Sequence, residues 1–251
     1  MEIAPNLYLA EGVRGANVYL IVEDTLTLVD TGLPGNGPAI ARYIARLGRR
    51  PDELKRVVLT HSHLDHSGSA AQLSALTGAK VLAHAAETEG GLLIPGLSGT
   101  GGLVFRRIAG LMRVRPVPID KLLQEGDVIP VLGGLKVLHV PGHTPGSICL
   151  FSESRGVLFT GDIMLNSGDR LSQPLPMFQQ DRILAGQSLK KLLPLDIRLC
   201  CFGHSPPLGD GSQAMVSRFV DHPVQTPFWW RVDKNLRLLA FFGTRLLRRK
   251  Q

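Results

Sequence analysis

Apolar and polar positions along the 251-residue chain repeat one theme, a short apolar run followed by a glycine-rich turn. The runs 18–22 and 26–29 predict paired strands that end in Asp30-Thr31-Gly32. Apolar residues at Ile40, Tyr43, Ile44 and Leu47 predict a helix over 38–47. A short buried strand is predicted at 56–59, a helix at 69–77 and a strand at 81–83. Further strands are predicted at 135–140, 147–152, 157–159 and 197–201, with a helix over 181–193. The segment 165–178, with Pro174 and Pro176, reads as a loop. Strands alternating with helices predict an α/β fold, a four-layer αβ/βα sandwich of two facing mixed sheets with helices outside.

Candidate chemistry sharpens this picture. Residues 60–68 read Thr-His-Ser-His-Leu-Asp-His-Ser-Gly, so His61, His63, Asp65 and His66 fall within six positions. No packing pattern requires that density, whereas imidazole and carboxylate are ligands that borderline divalent metals prefer. Three more candidates follow in glycine-flanked turns: His143 in Pro-Gly-His-Thr-Pro-Gly, Asp162 in Thr-Gly-Asp, and His204 in Phe-Gly-His-Ser-Pro-Pro. Alone, each would be an ordinary turn. Together they give seven potential ligands from four segments, enough for two metals. Two cations about 3.5–4 Å apart can share a hydroxide and lower the pKa of water toward 7. A carboxylate is the natural bridge, which points to Asp162, while Asp65 is the candidate proton carrier. These two are therefore the candidate catalytic residues. His84 and His222 read as caps or solvent-facing residues, and His139 as an ordinary strand residue. Asp30 has two open readings, a turn cap or a carboxylate that orients a ligand imidazole.

His-x-His-x-Asp-His followed in order by Gly-His, Gly-Asp and Gly-His resembles the metallo-β-lactamase-fold metallohydrolase superfamily over about 18–207. The resemblance implies that His61, His63 and His143 hold one metal and that Asp65, His66 and His204 hold the second. Asp162 would bridge them, zinc being the default and iron, manganese or cobalt the alternatives. It further implies a dinuclear hydrolase that uses a metal-bridging hydroxide on a carboxylic ester, lactone or thioester in a small acyl substrate. The branch is glyoxalase II-like or lactonase-like. True β-lactamases of the family lack the bridging aspartate, and its lactonases carry a tyrosine where Leu165 stands. A phosphodiesterase or nuclease on the same metals is the second reading, and a non-catalytic metal-dependent binding protein the third.

Charge then locates the remaining questions. The net charge of +7 is concentrated in two stretches, 231–251 and 90–119. The first carries seven Lys/Arg against Asp233, and the second carries Arg106, Arg107, Arg113 and Arg115 with no acid. Residues 1–222 are expected to form the catalytic domain, with 90–119 a lid-like insertion and 223–251 a basic amphipathic helical segment. In the insertion, Val104, Ile108, Leu111 and Met112 would present one apolar face. Phe228, Trp229 and Trp230 before a basic helix allow peripheral membrane contact or a homodimer interface as well as simple docking. Local basicity without a recognisable exosite disfavours nucleic acid as partner. Three cysteines, two adjacent, form no disulfide framework, and no signal peptide is apparent, so a cytoplasmic location is expected.

Overall fold

The computed structural model describes residues 1–93, 115–168 and 170–224. The first sheet, in order, joins β1 (Glu2–Ala4), β2 (Leu7–Leu9), β3 (Tyr19–Val22), β4 (Leu26–Val29), β5 (Leu54–Val58), β6 (Lys80–His84) and β9 (Lys121–Leu123). It is antiparallel through β4 and parallel from β4 to β9. The connection between β6 and β9 carries a small ladder of β7 (Leu92–Leu93) with β8 (Val117–Pro118). The second sheet joins β10 (Val128–Ile129), β11 (Leu135–His139), β12 (Ile148–Ser152), β13 (Val157–Gly161) and β16 (Leu199–Phe202). Its last pair, β13 with β16, is parallel.

Helices lie on the outer faces: α1 (Gly37–Arg46), α2 (Leu64–Ser67) and α3 (Ala70–Thr77) with the first sheet, α4 (Arg182–Ser188) and α5 (Ser212–Asp221) with the second. Three apolar layers hold this arrangement together. Leu20, Leu28 and Val57 face Ile40, Ile44 and Leu73 of the helices. Tyr19, Ile21, Val29 and Val58 instead face Val137, Leu150, Phe159 and Cys201 of the other sheet. Cys149, Phe151, Leu158, Cys200 and Phe202 face Leu189, Val216 and Phe219 on the far side. Successive strand residues point to opposite faces, so each strand buried on both sides reads as a continuous apolar run. The same rule separates Cys200 from Cys201. Both remain free thiols among the described residues, and burial pushes the Cys200 thiol up to about 12.

The predicted four-layer α/β architecture is the one observed. Two local expectations are corrected. The segment 165–178 is not simply a loop, because β14 (Leu165–Asn166) pairs with β15 (Leu171–Ser172) and a 3-10 turn follows at Pro176–Phe178. The helix expected over 181–193 is α-helical only to Ser188, then tightens to a 3-10 turn at Leu189–Leu192. Most of the lid-like insertion, with Val104 to Arg113, and the C-terminal segment from 225 onward lie outside the described residues. No helix among the described residues is long and apolar enough to cross a membrane.

Candidate metal centre

All the candidate ligands leave strands at one edge of the two sheets. β5 runs into Thr60-His61-Ser62-His63 and then α2, which presents Asp65 and His66. β11 leads to His143, β13 ends at Asp162 and β16 leads to His204. Parallel strands with ligands beyond their carboxyl ends are the usual position of α/β sites.

The structure brings all seven predicted residues together as two groups. His61, His63, His143 and Asp162 form one, and Asp65, His66 and His204 the other, with the donor atoms of each group within 4.8 Å of one another. Nδ1 of His63 lies 3.0 Å from Nε2 of His143. Nε2 of His204 lies 3.0 Å from Oδ2 of Asp65 and 3.2 Å from Oδ2 of Asp162. The same Asp162 oxygen is 3.8 Å from Nε2 of His143, and its Oδ1 is 3.3 Å from Nε2 of His66. Asp162 thus stands between the groups, one oxygen reaching both. Gly203 makes that position available, because a Cβ there would fall 2.2 Å from Asp162 Oδ1 and 2.8 Å from His66 Cε1.

Asp30 orients an imidazole from each group, which settles its role beyond a turn cap. Its carboxylate accepts from the Thr60 amide and the Thr60 hydroxyl, each at 2.8 Å, and from His66 Nδ1 at 2.8 Å. With the Thr60 proton donated to Asp30, the hydroxyl oxygen accepts from His61 Nδ1 at 3.0 Å. That bond fixes the His61 tautomer and leaves Nε2 with a free lone pair. His61 Nε2 is buried without a hydrogen-bond partner among the described residues, and it belongs to a group whose imidazole and carboxylate donors lie within 4.8 Å of one another. Buried polar atoms are normally satisfied, and an unpartnered imidazole nitrogen within a buried cluster of imidazole and carboxylate donors fits a divalent cation.

The two groups differ electrostatically. Burial, reinforced by neighbouring imidazoles, holds His61 and His143 well below the ordinary histidine range, and burial takes His63 down to about 4. Those rings are neutral, the form that binds metal. At His66 and His204 burial also acts downward, but Asp162 outweighs it, together with Asp30 at His66 and Asp65 at His204. The result is His66 well above its usual value and His204 at about 9. For Asp65 and Asp162 the burial penalty is likewise outweighed, chiefly by His204, so both carboxyls stay ionised well below their usual range.

The remaining histidines fall outside the centre. His222 is exposed, whereas His84 is buried rather than solvent-facing. Its Nδ1 accepts from the Ala86 amide at 3.2 Å, and its ring stacks on His139 with centroids 3.9 Å apart. Supporting residues that the sequence did not reveal include Asn17, whose side-chain amide donates to the Phe202 and Ser205 carbonyls that flank His204. The Tyr19 hydroxyl donates to the same Phe202 carbonyl at 2.7 Å. An Asn and a Tyr near a strand carry no motif, so only the three-dimensional contact identifies them.

The model of the Metallo-beta-lactamase superfamily matches residues 12–204. The probable metallo-hydrolase YflN of Bacillus subtilis is 27% identical over 233 residues, covering 79% of this chain and 86% of that protein. A hydroxyacylglutathione hydrolase of Cereibacter sphaeroides is 33% identical over 173 residues, covering 66% of this chain but 54% of its own. The acyl-coenzyme A thioesterase MBLAC2 of Gallus gallus is 34% identical over 163 residues, with coverages of 61% and 56%. Among solved structures, the metallo-beta-lactamase family protein TTHA1429 of Thermus thermophilus superposes with a TM-score of 0.65 at 25% identity, covering 95% of this chain and 84% of that one.

Proposed function

The chain belongs to the metallo-β-lactamase superfamily of metal-dependent hydrolases, and from that premise we propose that it is a dinuclear hydrolase of a small acyl thioester, ester or lactone. The observation that carries this reading is the placement of Asp162, whose Oδ2 lies 3.2 Å from His204 and 3.8 Å from His143. A carboxylate so placed could serve two cations at once. His61, His63 and His143 would hold the first, Asp65, His66 and His204 the second, with zinc the default for this donor set. Two bound divalent cations would supply hydroxide at neutral pH and Lewis acidity toward the acyl oxygen.

The chain's own groups do the rest. His61, His63 and His143 are neutral and need lose no proton to act as ligands. His66 and His204 carry protons in the metal-free protein, so binding at their site releases them. Asp65, with a side chain 20% exposed, is ionised and reachable, so it can take the proton lost on attack and return it to the leaving sulfur or oxygen. Thioesters stand first in the substrate class because two similar proteins are named for thioester cleavage, a hydroxyacylglutathione hydrolase and an acyl-coenzyme A thioesterase.

The test is turnover of an acyl thioester, an acyl-homoserine lactone and bis(p-nitrophenyl) phosphate by zinc-reconstituted protein, with Asp162→Ala as control. Acyl turnover should dominate, and Asp162→Ala should reduce it by more than the ~10–100-fold typical of an outer partner. Phosphodiester cleavage as the leading activity would overturn the acyl assignment. Full acyl turnover by Asp162→Ala would overturn the dinuclear one.

A further inference from the structure

We propose that Glu87 is a positioning residue for the first metal group, holding the loops of His61, His63 and His143 in register with one another. Glu87 closes a 3-10 turn, Ala85–Glu87, at the end of β6. This turn is capped at its start by His84. From there the carboxylate reaches two ligand loops that are distant in sequence. Oε2 accepts from the Ser62 amide at 2.8 Å, the residue between His61 and His63. Oε1 accepts from the Gly146 amide at 2.7 Å and from the Thr144 hydroxyl, both in the turn that carries His143. Thr144 is itself fixed, its amide donating to Ser147 Oγ at 3.0 Å.

Gly146 is built around this contact. A Cβ there would lie 2.6 Å from Glu87 Cγ and 2.8 Å from the Glu87 amide nitrogen. Asp30 steadies His61 through Thr60 and His66 directly. Glu87 works on different groups, the backbone beside His63 and the loop of His143. None of its three donors belongs to Asp65, His66 or His204. The restraint therefore bears directly on one group of ligands and reaches the other only through the shared 61–66 loop. A carboxylate suits it because every partner is a donor. Glutamine would turn its own NH2 toward at least one of the Ser62 and Gly146 amides, leaving two donors face to face.

This inference rests on the proposed metal reading, and its test separates the two. Zinc is titrated into chelator-treated protein against a chromophoric competitor, in a His204→Ala background that keeps the first group and a His143→Ala background that keeps the second. Glu87→Gln should weaken zinc binding ~10–100-fold in the first background and by clearly less in the second. The Co2+ absorption bands of the first site should shift in parallel. Thr144→Val, which removes one of the three donors, should give a smaller loss at the same site and serves if Glu87→Gln fails to fold. Equal weakening of both sites, or a lowered Tm with zinc affinity unchanged in both backgrounds, would overturn the positioning role alone. Wild-type protein that binds no zinc would overturn the metal reading and this inference with it.

Discussion

Asp30 sits at φ 60°, in the left-handed region, where Asp and Asn are the non-glycine residues best tolerated. An Asp30→Asn substitution therefore keeps the backbone and changes only the chemistry. Its amide group would face either the Thr60 amide or His66 Nδ1, both donors to the native carboxylate. One bond is lost and a buried donor is left unpaired, a cost of about 1–3 kcal/mol. Because Asp30 supports an imidazole in each group, zinc affinity should fall at both sites, by ~10–100-fold. Chelator competition measures it, and wild-type affinity in the variant would sink the argument. This residue also marks the limit of sequence reading. A strand-end Asp before Thr-Gly caps turns in many proteins, so only the 2.8 Å contact with His66 chooses between its two roles. Glu87 gives less warning still, since an acid shortly before the Gly90-Gly91 pair carries no signal of the loops it joins.

The strand ends gave their positions away more readily. Glycine beside His143, Asp162 and His204 marks backbone that must turn sharply or approach another loop closely, and that need is legible as residue type. Gly203 is the severest case. A Cβ there would lie 2.2 Å from Asp162 Oδ1 and 3.0 Å from the Gly161 carbonyl oxygen. Gly203→Ala should displace the Asp162 carboxylate, lower stability by about 1–3 kcal/mol as overpacking does, and abolish the proposed two-metal stoichiometry while leaving far-UV circular dichroism intact. Metal analysis after dialysis checks it, and two zinc ions retained per chain would refute it. Long strands buried on both faces were legible because they read as near-continuous apolar runs, as in Ile148–Ser152 and Val157–Gly161. The two-residue strands β14 and β15 were not, because a period of two cannot be read from two residues. Helix α5 is hard to read from sequence although Val216, Phe219 and Val220, all buried, have helical spacing; its first turn, after a Gly-Asp-Gly, resembles the loop it leaves.

Across the whole molecule, the opposed charge states of the two ligand groups should shape stability against pH in the metal-free protein. His204, raised to about 9 from 6.5, binds a proton in the fold that the unfolded chain has lost. Its contribution is complete below pH 6.5 and disappears as pH rises through about 9; His66 acts in the same direction. His63 and His84, both lowered to about 4, act oppositely, together with His61 and His143. They stay neutral in the fold while the unfolded chain gains protons below pH 6.5, so stability falls from there toward pH 4. Asp65 and Asp162, lowered from 3.8, add their loss only at still lower pH. The metal-free protein should therefore be most stable near pH 6.5–7. Each pKa unit is worth about 1.4 kcal/mol, and each kcal/mol about 2–4 °C in Tm for a chain of this size. On the proposed metal reading zinc would displace the protons of His66 and His204, so its binding should strengthen with pH up to about 9, through the range where the metal-free fold weakens. Calorimetry from pH 4.5 to 9.5, in chelator and in excess zinc, should show a bell for the first and a gap between the two curves that widens as pH rises toward 9. A metal-free Tm that holds steady or climbs to pH 9 would mean that His66 and His204 are not held as imidazolium between Asp30, Asp65 and Asp162, and that the second group of ligands is not organised as its geometry implies.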